Sequence, residues 1–559
     1  MREETKNKIL LVLAVVLSSL PLLFYGIEGH FGQDLGFHLN RIEGIYLELK
    51  NGVFPVRMQS FWMDGYGYPV SIYYGDTLLY IPALLRLLGL PVVTAYKAYI
   101  LFINCFTAWV SYVCFQKMTF KKYAAVGAFV YVTGNYRLLN LYIRAAVGEY
   151  TAMMFLPLIA LAVYEIYYVD VKDKDYKKAI IPLVIGMSGI LESHMMTLEM
   201  VGLVLIVICI LNIKKTFRKE TLLVYIESAG VTLLLNLYFI LPFLDYFFTE
   251  NVRINQVVSN ARAIQQSGAY IWEYFAFFMI PFSNLDTDIT SDRMSVTPGI
   301  IFIATVFVAL FLWVRKKADG KIKRLTIASL ILLFLASNLF PWDFLAAHTR
   351  VGNFLAQVQF PWRYIGIFGV IASILLLLLL EQSKKNITIL IVAVSCVMCL
   401  WFAGVYKTYA ELDTFATTED LDTYDMGFIE YLRPDAVREE FAKTVVVKSG
   451  DATVTETYRK GTTICYEVTA KEDSTIELPI MHYKYYYLRD NNGNEYELFD
   501  GTGDVISFKV DAGFWGTLTL TYEEPRSWRV AELVSLITLI LCFLWFLRKR
   551  LESQKVARI

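Results

Sequence analysis

Charge is what this sequence has least of. Of its 559 residues, 19% are Asp, Glu, Lys or Arg and 56% are hydrophobic, whereas soluble chains carry roughly 25% charged residues. The 52 basic and 52 acidic residues cancel, so no bulk charge argues for a nucleic-acid partner. Cysteine is sparse as well. Six of the seven lie in apolar runs (Cys105, Cys114, Cys209, Cys396, Cys399, Cys542) and only Cys465 stands in a polar stretch. That leaves no disulfide framework and no CxxC metal pair. The five histidines have no zinc-like spacing. With no P-loop, no GxSxG and no HExxH, ATPase, esterase and zincin chemistry lack their motifs.

What the sequence does have is long apolar runs, and uncharged runs of about 18 residues or more are membrane spans. The first, Ile9 to Tyr25, follows the basic start MREETKNK without a small-x-small cleavage site, so it reads as an uncleaved span. Further spans are expected near 97–115, 123–138, 150–168, 179–193, 197–213, 221–244, 298–314, 325–341, 361–380, 387–406 and 529–547, about 12 in all. The runs 77–91 and 271–281 are too short to cross and read as interfacial or re-entrant. Basic clusters at the N-terminus, 117–122, 172–178, 214–219, 315–324, 384–385 and the tail RKRLESQKVARI then fall on one side. The positive-inside rule makes that side cytoplasmic and puts both termini there.

The expected architecture is a polytopic α-helical membrane protein with an extracytoplasmic, β-sandwich-like domain near the C-terminus. Residues 1–406, with the first outer loop 26–76, form the transmembrane domain. Residues 407–528 form the β-rich domain, because β-branched and aromatic runs (TVVV, ATVTETY, TTICYEV, YKYYYL, GTLTLTY) alternate there with DNNGN, DGTGD and DAG turns. Residues 529–559 are the last span and a basic tail.

Polar residues gather toward the outer side. Asp34, His38 and Arg41 are spaced i, i+4, i+7, on one face of a helix. A functional reading makes Asp34 a general base or metal ligand and has Arg41 meet an anion; a solvated helix face has the same spacing. The segment GYGYPVSIYYGD offers Tyr66, Tyr68 and Tyr73 as stacking surfaces for sugars, although Tyr also anchors membrane interfaces. Arg144 and Glu149 (IRAAVGEY), Glu192 and His194 (ESHMMT) and Arg363 (QFPWRY) sit at outer ends of spans, where ionisable groups are costly and functional. Together they could hold a lipid phosphate with arginines while a carboxylate activates an acceptor.

With these residues set out, the chain resembles the GT-C class of integral-membrane glycosyltransferases: a first span, a long outer loop opening on a carboxylate, many spans and an outer soluble domain. GQDLGFHLNRI, NGVFPVR, GYGYPVSIYYG, IRAAVGEYTAMMFLP, ESHMMT and QFPWRY resemble motifs of the bacterial YfhO-like group, labelled "6-pyruvoyl-tetrahydropterin synthase-related" membrane proteins. The resemblance implies transfer of a sugar from a polyprenyl-phosphate carrier to a cell-envelope acceptor (glycan, teichoic acid or lipid) at the plasma membrane. It implies Asp34 as catalytic carboxylate, with His38, Arg41, Glu149 and His194 in support, and Arg144 and Arg363 on the lipid phosphate. No DD or DxD pair accompanies Asp34, so a metal-independent base is favoured over a divalent metal, which stays open as a cofactor. A lipid-linked glycan transporter or flippase, or a non-catalytic envelope-polymer assembly or recognition protein, stays open. Against transport, no internal repeat of the kind transporters show is visible.

Overall fold

A computed structural model of the chain describes residues 3–24, 32–118, 120–173, 175–254, 264–278, 296–383, 386–412, 421 and 429–557. It divides into two compact units. The first comprises Met1–His38, Pro91–Ala229 and Asn260–Thr418; the second comprises Leu39–Leu90, Gly230–Ser259 and Glu419–Ile559.

The first unit is helical. Helix Val92–Lys117 opens directly after Pro91 and runs 26 residues, about 39 Å at 1.5 Å per residue. That exceeds the ~30 Å of a bilayer core. Among the described residues of the whole chain, five helical segments are long and apolar enough to cross a membrane: Val92–Lys117, Val147–Tyr168, Pro361–Gln382, Thr388–Thr408 and Arg526–Arg548. The pair Lys219–Leu235 and Leu237–Thr249 adds a sixth if it is one bent span. The chain is thus a mostly helical, multi-pass membrane protein.

The expected span 123–138 is divided into Ala124–Val132 and Asn135–Leu138, and a π-helical turn follows at Leu139–Ile143. Such turns collect at functional sites. Immediately after it, Ala145 takes a left-handed conformation with φ 50°, uncommon for a residue with a Cβ. Gly32 lies against this bend; a Cβ there would come within 2.3 Å of the Ala145 Cβ. Of the two short apolar runs, 77–91 folds as a 3-10 turn, Thr77–Leu79, and the eight-residue helix Tyr80–Leu87. Ile271–Phe275 is a 3-10 turn, and residues 279–281 lie outside the described residues, as do 26–31 of the first outer loop.

The second unit carries the β-sheet domain. Its strands are β1 (Val446–Ser449), β2 (Ala452–Lys460), β3 (Thr463–Ala470), β4 (Ser474–Met481), β5 (Tyr486–Asp490), β6 (Glu495–Tyr496), β7 (Phe499–Asp500), β8 (Val505–Val510) and β9 (Trp515–Tyr522). They form two antiparallel sheets, ordered β1-β4-β8-β7 and β2-β3-β9-β5-β6. The alternation in TICYEVTA turns Ile464, Tyr466 and Val468 inward, and Leu518 and Leu520 of β9 share that buried face. In the other sheet Ile476, Leu478, Ile506 and Phe508 are buried. Period two thus gives the five-stranded sheet one apolar and one wetter face, whereas β8 of the other sheet is buried on both, with Val505 and Ser507 inside as well. Helix Arg526–Ala557 begins four residues after β9.

Candidate active site

The most heavily charged buried cluster lies in the first unit and is centred on Glu149. This residue stands in the first turn of helix Val147–Met153, where the helix dipole favours a carboxylate, and it is only 3% exposed. Arg144 Nη1 donates to Glu149 Oε2 at 2.6 Å, and Arg363 Nε donates to the same oxygen at 3.3 Å. The other oxygen, Oε1, accepts from the Tyr136 hydroxyl and from Asn140 Nδ2. Asn140 Oδ1 in turn accepts from Arg144 Nη1 at 2.7 Å. Arg363 also donates through Nη1 to the Val358 carbonyl at 2.7 Å and to Gln359 Oε1 at 3.1 Å. The Phe360 ring lies near both guanidinium carbons, 5.0 Å from Arg363 and 5.7 Å from Arg144. Gln359, between Val358 and Phe360, has φ 65° and ψ −50°, a strained backbone of the sort held at functional sites.

Asp34 enters through main-chain bonds. Its N–H donates to the Arg144 carbonyl at 2.8 Å, and that of Gln33 donates to the Ile143 carbonyl at 3.0 Å. The start of helix Leu35–Lys50 is thereby tied to the bend that carries Arg144. Burial raises the Asp34 carboxyl above the ordinary aspartate value, Glu149 adds to that, and Arg144 and Arg363 pull it back. A carboxylate that holds its proton more readily than usual is a better base. His194 caps helix Met195–Leu211: its Nδ1 accepts the Thr197 N–H at 3.2 Å and lies 2.8 Å from Thr197 Oγ1. Burial and the nearby Arg363 push the imidazole down to about 3, so the ring is neutral.

Of the sequence-derived candidates, the first unit therefore brings together Asp34, Arg144, Glu149, His194 and Arg363. His38 follows on the Asp34 helix, its N–H donating to the Asp34 carbonyl at 3.3 Å. Arg41, Tyr66, Tyr68 and Tyr73 belong to the second unit. There the Arg41 guanidinium pairs with the Asp76 carboxylate, both side chains being buried, and lies 4.0 Å from the Tyr74 ring centroid. Tyr66 stacks on Phe441, Tyr68 on Trp62 and Tyr73 on Tyr431, at 4.1, 5.1 and 4.7 Å, so neighbouring rings already cover a face of each. The sequence reading did not include Tyr136, Asn140, Gln359 and Phe360. A signal for Asn140 is present in its i, i+4 spacing to Arg144. Among the described residues no three His, Cys, Asp or Glu side chains come together to hold a metal ion.

No family model matches the chain. An uncharacterised protein of Lactococcus lactis subsp. cremoris (strain MG1363) is 22% identical over 350 residues, 60% of this chain and 54% of that protein, so the chain spans about half of its relative's length. Two solved structures are similar to part of this chain. The arabinofuranosyltransferase AftD from Mycobacteria is 12% identical with a TM-score of 0.39, over 72% of this chain and 27% of its own. The archaeal oligosaccharyltransferase AglB from Archaeoglobus fulgidus, in complex with an inhibitory peptide and a dolichol-phosphate, is 11% identical with a TM-score of 0.40, over 77% of this chain and 60% of its own. At these values neither likeness fixes the fold of this chain.

Proposed function

We propose that the protein is a membrane glycosyltransferase that moves a sugar from a polyprenyl-phosphate carrier to an acceptor of the cell envelope. One observation carries the reading: two buried arginines converge on a single carboxylate oxygen at Glu149, beside the carboxyl of Asp34. Guanidinium groups gathered in this way bind phosphate oxygens, and a lipid phosphate is an anion that reaches such a site from the membrane. In the proposed step Asp34 takes the proton of the acceptor hydroxyl, and that oxygen forms the new glycosidic bond at the anomeric carbon. The bond from that carbon to the phosphate oxygen breaks, and the lipid phosphate leaves with the electron pair. Arg144 and Arg363 stabilise the charge that develops on it. Neutral His194 positions the outer turn and takes no proton. The proposed topology has 12 spans and both termini in the cytoplasm, with the site on the opposite face, and the proposed relationship is to the YfhO-like group.

The test is envelope-glycan mass spectrometry on a deletion strain complemented with wild type or with Asp34→Asn. A sugar lost on deletion and restored by wild type alone, with the variant inserted at equal level, is the expected result. Restoration by Asp34→Asn removes Asp34 as base and moves transport or recognition ahead.

A further inference from the structure

The outer face of the five-stranded sheet carries a feature the transfer reading does not use. Trp515, at the start of β9, is 84% exposed. The turn that presents it is tightly bonded: Gly513 N–H donates to the Ala470 carbonyl and Ala470 N–H to the Phe514 carbonyl, both at 2.8 Å. Ala512 N–H donates to Asp473 Oδ1 at 2.8 Å. Phe514 packs edge-on against Tyr496, 5.9 Å between centroids, so strand alternation turns the next residue, Trp515, to the opposite face. An indole on a bonded turn has only two side-chain torsions to fix, so it spends little conformational entropy when it stacks on a ligand.

Registers show what lies beside it. Thr453, Thr469 and Trp515 form one row across β2, β3 and β9, and Thr455, Glu467 and Thr517 the next. Tyr458, Cys465 and Thr519 follow, with Tyr458 50% exposed. An aromatic thus stands at each end of a hydroxyl-lined strip. Four residues along a strand and two strands across place them about 16 Å apart, a span that a short run of sugar rings covers. Within these three rows Glu467 is the one charged side chain, which disfavours a phosphate-bearing polymer. The strip also lies away from the last helix: Trp515 is seven residues up β9 from Tyr522, about 23 Å, whereas helix Arg526–Ala557 starts just past Tyr522.

We infer that the outer face of β2, β3 and β9 binds an uncharged glycan chain, with its sugar rings stacked on Trp515 and Tyr458 and its hydroxyls on the intervening threonines. This binding does not depend on catalysis. The experiment uses the purified full chain in detergent micelles, titrated with chitohexaose, maltohexaose and poly(glycerol phosphate). At least one neutral hexasaccharide should bind with a Kd below about 1 mM. Trp515→Ala should weaken it at least tenfold and Tyr458→Ala several-fold, Trp515→Phe should restore part of the loss, and Asp34→Asn should bind as wild type. Both aromatic positions are exposed strand sites, and the thermal unfolding of each variant checks that the fold survives. Binding of neither hexasaccharide, equal binding by Trp515→Ala, or tighter binding of poly(glycerol phosphate) than of either hexasaccharide overturns the inference. A failure of Asp34→Asn in transfer leaves it untouched, and so does success.

Discussion

Removing Glu149 should cost far more stability than removing either of its arginines. The structure gives two cations against one anion, with donor–acceptor distances of 2.6 and 3.3 Å. At an effective dielectric of about 20, each pair attracts by roughly 5–6 kcal/mol before desolvation. Glu149→Gln keeps the shape but takes the shared carboxylate from two buried guanidinium groups, at 5% and 7% exposure. Breaking a buried pair by deleting one partner costs about 3–5 kcal/mol, and here a second cation compounds it. Arg363→Met leaves the neutral pair Arg144–Glu149, so its cost is mainly that of the freed Val358 carbonyl, about 1–3 kcal/mol. The double variant Glu149→Gln/Arg363→Met retains a single cation. Its destabilisation should fall short of the sum of the two single variants by at least about 1 kcal/mol. Unfolding of the purified protein in mixed SDS micelles, followed by tryptophan fluorescence, measures all three. Additivity within about 0.5 kcal/mol, or a larger loss for Arg363→Met than for Glu149→Gln, refutes the coupling of both arginines through Glu149, and with it the argument for an anion.

Two further outcomes follow from the same geometry. Because the folded-state value of His194 is depressed to about 3, its contribution to stability is complete above the unfolded value near 6.5 and is lost as pH falls toward 3. In that window each pH unit removes about 1.4 kcal/mol. Asp34, whose value is raised, acts in the opposite sense, contributing most when protonated and losing that contribution as pH rises through its folded value. His194→Asn keeps an acceptor for the Thr197 N–H and cannot titrate, so its stability between pH 4 and 6.5 should fall less steeply than that of wild type; equal slopes would show that the imidazole is not held neutral. For topology, a membrane-impermeant maleimide should label Gly320→Cys, in a variant whose seven native cysteines are replaced by serine, in inverted vesicles but not in intact cells, and labelling in intact cells breaks the proposed arrangement.

How much of this could be read from the chain depends on how far apart the interacting residues lie. The β-sheet domain is legible because alternation is local: TICYEVTA already states which side chains of β3 face inward. The Arg144 end of the site is legible for the same reason, since Asn140, Arg144 and Glu149 fall within ten residues. What spacing cannot supply is the partner. Arg363 reaches Glu149 across 214 residues, and nothing in QFPWRY shows that its guanidinium shares an oxygen with Arg144. The helical period also assumes an unbroken helix. Through the π turn at Leu139–Ile143 and the left-handed Ala145 that assumption lapses, and there the chain turns Tyr136, Asn140 and Arg144 onto one carboxylate. At Arg41 the period holds, yet it is silent about the Asp76 carboxylate 35 residues on that takes up the guanidinium. Sequence gathers the charges toward the outer ends of the expected spans; only the fold says which of them meet. Because Arg144 and Arg363 meet on one oxygen of Glu149, the proposed function rests on that convergence rather than on the number of charged residues.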